Sequence, residues 1–213
     1  MTDVNENPTP FVDTTERKTA ETVFEAITKL VHSDQIEVVN FHAPFNNEEA
    51  IQAQVVIGAP SEEDGHIVVS TYGLGGVETP AKAQIDENEI PLRMEIFAIA
   101  ANPEEARIVA EELAGLEFHM NSTKTPLLPG VIAGRAGAVH YAISASPYGT
   151  LGGHGHQPIR NQKYLVSFFA ANRITENEAK MLSEEETAPK FLEYYKSLGI
   201  DAYSLNRPEF NEE

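Results

Sequence analysis

The sequence predicts an α+β fold, in which one or more mixed β-sheets are flanked by helices within a single domain. Several segments rich in β-branched and aromatic residues predict strands, and helical periodicity with capping signals occurs near the start, in the middle and near the end. The 213 residues contain no internal repeat and no change of composition that would divide them, and this length is sufficient for one domain with a full core. Because strands and helices do not alternate regularly, a doubly wound α/β fold is disfavoured.

The predicted domain spans residues 13–207, between two polar ends. Residues 1–12 are polar and contain Pro8 and Pro10, which predicts a flexible N-terminal arm. Residues 208–213 predict an acidic tail. The first residues lack a basic start followed by an apolar stretch, and no apolar run is long enough to span a bilayer. The sequence therefore predicts a cytoplasmic protein without a membrane partner.

In the first half of the chain, one helix precedes three strands. Asp13 and Glu16 form a capping-box pattern, and apolar residues from Val23 to Val31 follow at helical spacing. Strands are predicted at residues 35–42, 54–57 and 67–71, with a polar turn at 60–65 between the last two. Gly73–Gly76 predicts a sharp turn that needs positive φ, and residues 79–89 an exposed loop.

The second half begins with the clearest strand, at residues 93–101. Asn102, Pro103 and Glu105 then predict a capped helix that runs to about Gly115. Further elements are predicted as strands at 138–144 and 164–171, capping boxes at Thr175–Glu178 and Ser183–Glu186, an apolar helix face at 191–198 that stops at Gly199, and a short strand at 200–205.

The charge of the chain limits its partners. Asp and Glu number 33 against 15 Lys and Arg, which gives a formal net charge of −18. No basic patch is present to offset this field, so a nucleic-acid partner is disfavoured and a basic protein is favoured. The chain also contains no cysteine, which excludes disulfides and thiolate nucleophiles and fits a reducing compartment.

Sequence motifs give little indication of catalysis. His154 and His156 lie in a Gly-His-Gly-His segment and can point the same way in an extended chain, so they are candidate zinc ligands of a metal-dependent hydrolase. Two histidines are fewer than a dedicated zinc site needs. No local spacing pairs a nucleophile with a base. We therefore predict no catalytic residues, no cofactor and no resident metal, and keep the hydrolase as an alternative.

Three predicted loops provide candidate residues for binding a partner, because binding residues concentrate on loops carried by a scaffold. The residues are Glu62, Glu63 and Asp64 in the acidic turn, Tyr72 and Leu74 in the loop after the third strand, and Tyr148, His154 and His156 in the glycine-rich segment.

The order of several short motifs resembles the suppressor-of-fused family. Residues 66–75 (HIVVSTYGLG) end a strand on a TYGL motif, and an apolar strand with an early Glu follows (93–97, RMEIF). A helix then ends on Leu-Ala (113–114), and a PLLPG loop comes next (126–130). Finally, an aromatic strand runs into an acidic helix start (164–178). The resemblance covers about Gln54 to Leu182, and its specificity lies in the order and spacing of the motifs.

The resemblance implies a single mixed α+β domain that binds proteins and is not an enzyme. Animal members bind and restrain a transcription factor, and the short bacterial members resemble immunity proteins that neutralise polymorphic toxins. We therefore predict an immunity protein, monomeric or weakly homo-oligomeric, whose partner is another protein such as a basic toxin domain. A regulator that sequesters a transcription factor is the alternative within the same binding mechanism.

Overall fold

The computed structural model describes residues 12–15, 18–31, 35–45, 49–85, 87–134, 140–144, 157–184, 195, 197–201 and 204–208. Within these ranges the strands are β1 (Val12–Asp13), β2 (Glu37–Phe45), β3 (Glu49–Ile57), β4 (Ile67–Thr71), β5 (Lys82–Ile85), β6 (Asn88–Ala100), β7 (Ile132–Gly134), β8 (His140–Ser144), β9 (Ile159–Arg160) and β10 (Leu165–Ile174). The α-helices are α1 (Thr19–Leu30), α2 (Pro103–Thr123) and α3 (Glu176–Glu184).

The described strands form one mixed sheet. Its main path runs β1-β9-β10-β6-β4-β3-β2, while β5 pairs with β6 and β7 pairs with β8, which in turn pairs with β10. The pairs β2–β3, β3–β4 and β4–β6 are antiparallel, whereas β10 lies parallel to β6. Helices pack on this mixed sheet, so the α+β fold class predicted from the sequence is confirmed.

The core lies on both faces of the sheet. Helix α2 packs over β3, β4 and β6, and its Leu113 and Met120 are fully buried. Helix α1 packs on the other face, where its Ile27 belongs to a second apolar cluster with Phe97 of β6. Strand β6 is covered on both faces, which explains why it is an almost continuous apolar run in the sequence.

Several predicted boundaries are wrong, each for a local reason. The loop predicted at 79–89 contains β5, whose residues are alternately exposed and half-buried as in an edge strand. Helix α2 continues to Thr123, well beyond Gly115, because Leu116 and Met120 extend its buried face. An exposed glycine inside a helix costs only about 1 kcal/mol, which this burial offsets.

The predicted caps are partly correct. Asn102 accepts hydrogen bonds from the backbone N–H groups of Glu104 and Glu105. Thr175 and Glu178 form a complete capping box, with N···O distances of 3.2 and 2.8 Å. The cap predicted at Asp13 is wrong, because α1 begins only at Thr19 and Asp13 lies in β1 instead.

The C-terminal predictions have mixed outcomes. Ser183 lies inside α3, and Glu186 of the capping box predicted there lies outside the described residues. Gly199 has a φ of 65° and follows the helical residues Tyr195 and Ser197, as predicted for a helix stop. The described part of 200–205 forms a turn and coil, not a strand. Residues 1–11 and 209–213, most of the predicted arm and tail, and residues 191–194 of the predicted last helix lie outside the described residues. Within the described residues, no helix combines the length and apolar character needed to cross a membrane.

Candidate functional site

The loop after β4 turns sharply away from the sheet. Gly73 has a φ of 129°, which only glycine adopts readily, as the sequence predicts. A single 3₁₀ turn follows at Leu74–Gly76. The Leu74 side chain is fully buried and belongs to the core beneath α2. The prediction that Leu74 contacts a partner is therefore wrong: this side chain anchors the loop, and its neighbours form the surface.

Glu95 of β6 holds this loop in place from below. Its buried carboxylate accepts hydrogen bonds from the Thr71 hydroxyl at 2.5 Å and from the backbone N–H groups of Gly73 and Gly75 at 3.0 and 2.9 Å. Successive N–H groups that converge on an anion form a backbone nest. Burial raises the pKa of Glu95, while the hydrogen bonds from Thr71 and the loop amides act in the opposite direction.

A second carboxyl group, from Glu117 of α2, lies beside the loop. Glu117 is only 3% exposed, and its Oε2 has no hydrogen-bond partner among the described residues. Burial, and then the nearby charge of Glu95, raise its pKa to about 9. Glu117 is therefore protonated at neutral pH, and the pair consists of a hydrogen-bonded carboxyl group and an unpartnered one.

Glu117 and the loop after β4 border a cleft of about 310 Å³. One wall comes from β3, with Ile51, Gln52 and Gln54; the others come from the loop, with Tyr72, Gly73, Gly76 and Val77, and from α2, with Glu117 and Asn121. The Tyr72 ring packs against Phe24 of α1, with 5.1 Å between the ring centroids. The arrangement is a concave polar surface with a buried carboxyl group at one wall, which suits the binding of a small polar or charged group.

The acidic turn lies at the other end of β4. Glu62 and Glu63 are exposed, whereas Asp64 contacts His66 Nδ1 at 2.8 Å, and His66 Nε2 contacts Asp201 at 2.9 Å. Burial opposes the charged form of His66, but its hydrogen bonds to Asp201 and Asp64 prevail and raise its pKa. Since five strand residues span roughly 16 Å, the acidic turn and the cleft are separate surfaces.

The candidates of the glycine-rich segment, Tyr148, His154 and His156, lie outside the described residues. The hydrolase alternative is therefore untested. In the part of the chain that the structure describes, no cluster of three or more His, Asp or Glu side chains is arranged to hold a metal ion.

Sequence reasoning missed Glu95 and Glu117. Each had a recognisable signal, because each acidic residue lies among apolar positions that periodicity places in the core. Glu95 lies between Met94 and Ile96 in an apolar strand, and Glu117 lies between Leu113 and Met120 on the buried face of α2. Acidic residues are almost never fully buried without a specific role or partner.

Comparison with known proteins identifies the fold. No family model matches the chain, and a search of curated proteins finds no significant match. The structure is similar to a crystal structure from Neisseria gonorrhoeae FA 1090 that is assigned as a SUFU (suppressor of fused protein) homolog, with a TM-score of 0.59 and 20% sequence identity over 91% of this chain and 97% of that chain. The chain therefore has a suppressor-of-fused fold, as the order of its motifs predicts.

Proposed function

We propose that this chain is a cytoplasmic protein-binding module without catalytic activity, and that it acts as a bacterial immunity protein by binding a basic toxin domain. The suppressor-of-fused fold supports a binding role. The observation that carries the choice of a basic partner is the uncompensated negative charge of the surface, which follows from the net charge of −18.

The ion pairs within the described part of the chain leave several exposed carboxylates without a basic neighbour. Several arginines are already paired within the chain: Arg93 with Glu78, Arg107 with Glu37, Arg173 with Glu112 and Arg207 with Glu178. Exposed carboxylates without an ion pair among the described residues are Glu21, Glu25, Glu62, Glu63, Glu87, Glu104 and Glu111. Such a surface accelerates encounter with a basic partner and repels nucleic acid.

The test is co-expression of the chain with the protein domains encoded beside its gene. We expect a stoichiometric complex with one basic domain, measured by size-exclusion chromatography with light scattering, and rescue of growth when that domain is toxic. The association rate should fall steeply with salt and should fall further in the double variant Glu62→Gln, Glu63→Gln. An unchanged mass with every neighbouring product would contradict the proposal.

A regulator that sequesters a transcription factor shares this binding mechanism. Growth rescue separates the two roles, because sequestration would change transcription without protecting the cell from a toxin. The hydrolase alternative stays a prediction, and it requires stoichiometric zinc that is lost in His154→Ala.

A further inference from the structure

The cleft beside the Tyr72 loop presents hydrogen-bond acceptors in excess. Glu117 Oε2 has no partner among the described residues. The side-chain amides of Gln52 and Gln54 both donate to Asn40 Oδ1, each at 2.8 Å, so their carbonyl oxygens remain as acceptors. A ligand that pairs with these acceptors must supply several hydrogen-bond donors.

Guanidinium fits this description better than other protein groups. It carries five N–H donors in a plane and has no acceptor. A cleft of about 310 Å³ has room for one such side chain. We propose that the cleft receives an arginine side chain of the bound partner and pairs it with Glu117; this inference rests on the protein-binding function proposed above.

Arginine binding must be coupled to proton release. Glu117 is protonated in the free protein because its pKa is about 9, whereas a guanidinium pairs with the carboxylate form. The titratable groups that face Glu117 are Glu95 from β6 and Tyr72 from the loop, and β3 contributes only neutral side chains among the described lining residues. One proton therefore leaves to solvent for each guanidinium bound, and the affinity should rise about tenfold per pH unit below pH 9.

The experiment uses blocked arginine, N-acetyl-arginine N-methylamide, titrated into the full chain and followed by NMR at pH 6, 7 and 8. We expect a dissociation constant on the order of millimolar at pH 7, as for a single small anchor. This constant should fall about tenfold for each unit by which the pH rises. The equivalent citrulline derivative has the same shape without the charge, and it should bind at least tenfold more weakly with no pH dependence.

The matched variants are Glu117→Gln in the cleft and Glu111→Gln on the exposed face of the same helix. The first should weaken arginine binding at least tenfold at pH 8 and remove its pH dependence, and the second should change neither. Equal binding of arginine and citrulline, retained pH dependence in Glu117→Gln, or no binding of arginine to the wild-type chain would each overturn the inference. The wild-type comparison of the two probes needs no variant to fold. Because no partner is present, a failed co-expression test with intact arginine binding refutes only the proposed function.

Discussion

Replacement of Glu117 by glutamine should stabilise the protein at neutral pH, although it removes a native side chain. The pKa of this carboxyl group is about 9 in the folded protein, against an ordinary value of 4.5. A raised folded pKa contributes stability that is fully present below pH 4.5 and is lost as the pH rises towards 9. The loss is about 1.4 kcal/mol per pH unit, which accumulates to about 3 kcal/mol at pH 7.

Glutamine has nearly the same shape and does not titrate, so the Glu117→Gln variant avoids this loss. Its amide adds a second N–H donor at a buried position, and desolvation of this donor costs about 1 kcal/mol. The variant should therefore be slightly less stable than the wild type below pH 5, more stable by about 2 kcal/mol at pH 7, and more stable by roughly 3 to 4 kcal/mol at pH 8.

Urea unfolding followed by circular dichroism measures this effect, since the chain has no tryptophan for fluorescence. The midpoint should shift with pH while the slope of the free energy against urea stays constant. Glu111→Gln on the exposed side of α2 is the control and should not change the pH dependence. A stability difference between wild type and Glu117→Gln that is the same at pH 5 and pH 8 would refute the reasoning, because it would mean that Glu117 does not carry the proton.

Three further predictions concern other parts of the fold. Glu95→Ala should destabilise the protein by about 3 to 5 kcal/mol, because two loop amides and a hydroxyl lose their acceptor, whereas Glu95→Gln keeps one acceptor oxygen and should lose less than half of that in thermal unfolding. His66 has a raised pKa, so its contribution to folding stability is fully present below the ordinary histidine pKa of 6.5 and is lost as the pH rises through the folded pKa. The destabilisation caused by His66→Ala, measured by urea unfolding, should therefore be larger at pH 5.5 than at pH 8.5. Gly58→Ala should destabilise the protein by about 1 to 3 kcal/mol, because the new Cβ would lie 2.7 Å from Val31 Cβ. Gly115→Ala meets open space and should stabilise α2 by about 0.5 to 1 kcal/mol. Equal denaturation midpoints of these two glycine variants would contradict the packing.

Much of the fold was predictable because its local signals agree with its tertiary contacts. Strand β4 begins and ends at the predicted residues, and the cap at Asn102 and the box at Thr175–Glu178 are present. The failures occur where tertiary contacts override a local pattern. Asp13 and Glu16 have the spacing of a capping box, yet β1 pairs with β9 through Asp13, and this long-range pairing is absent from any local window.

The candidate site was predictable only in part, for a related reason. The glycines of the Tyr72 loop predict a turn, but periodicity cannot show that the Glu95 carboxylate of β6 accepts hydrogen bonds from the amides of this turn. The prediction that Leu74 contacts a partner rests on its position in a loop, whereas the 3₁₀ turn directs its side chain into the core. Gly73 and Glu117 are far apart in the sequence, so no local pattern shows that they lie side by side; their proximity depends on α2 crossing over β3 and β4.

The two buried carboxyl groups have opposite consequences for the fold, and this contrast supports the proposed arginine site. Glu95 accepts hydrogen bonds from three donors at the end of β4 and in the following loop, so its burial is explained by structure. Glu117 satisfies none among the described residues and lowers stability as the pH rises. A neutral glutamine at this position is expected to stabilise the fold at pH 7, and natural sequences keep such destabilising groups mainly at functional sites. The guanidinium proposed for the cleft would supply the partner that Glu117 lacks among the described residues.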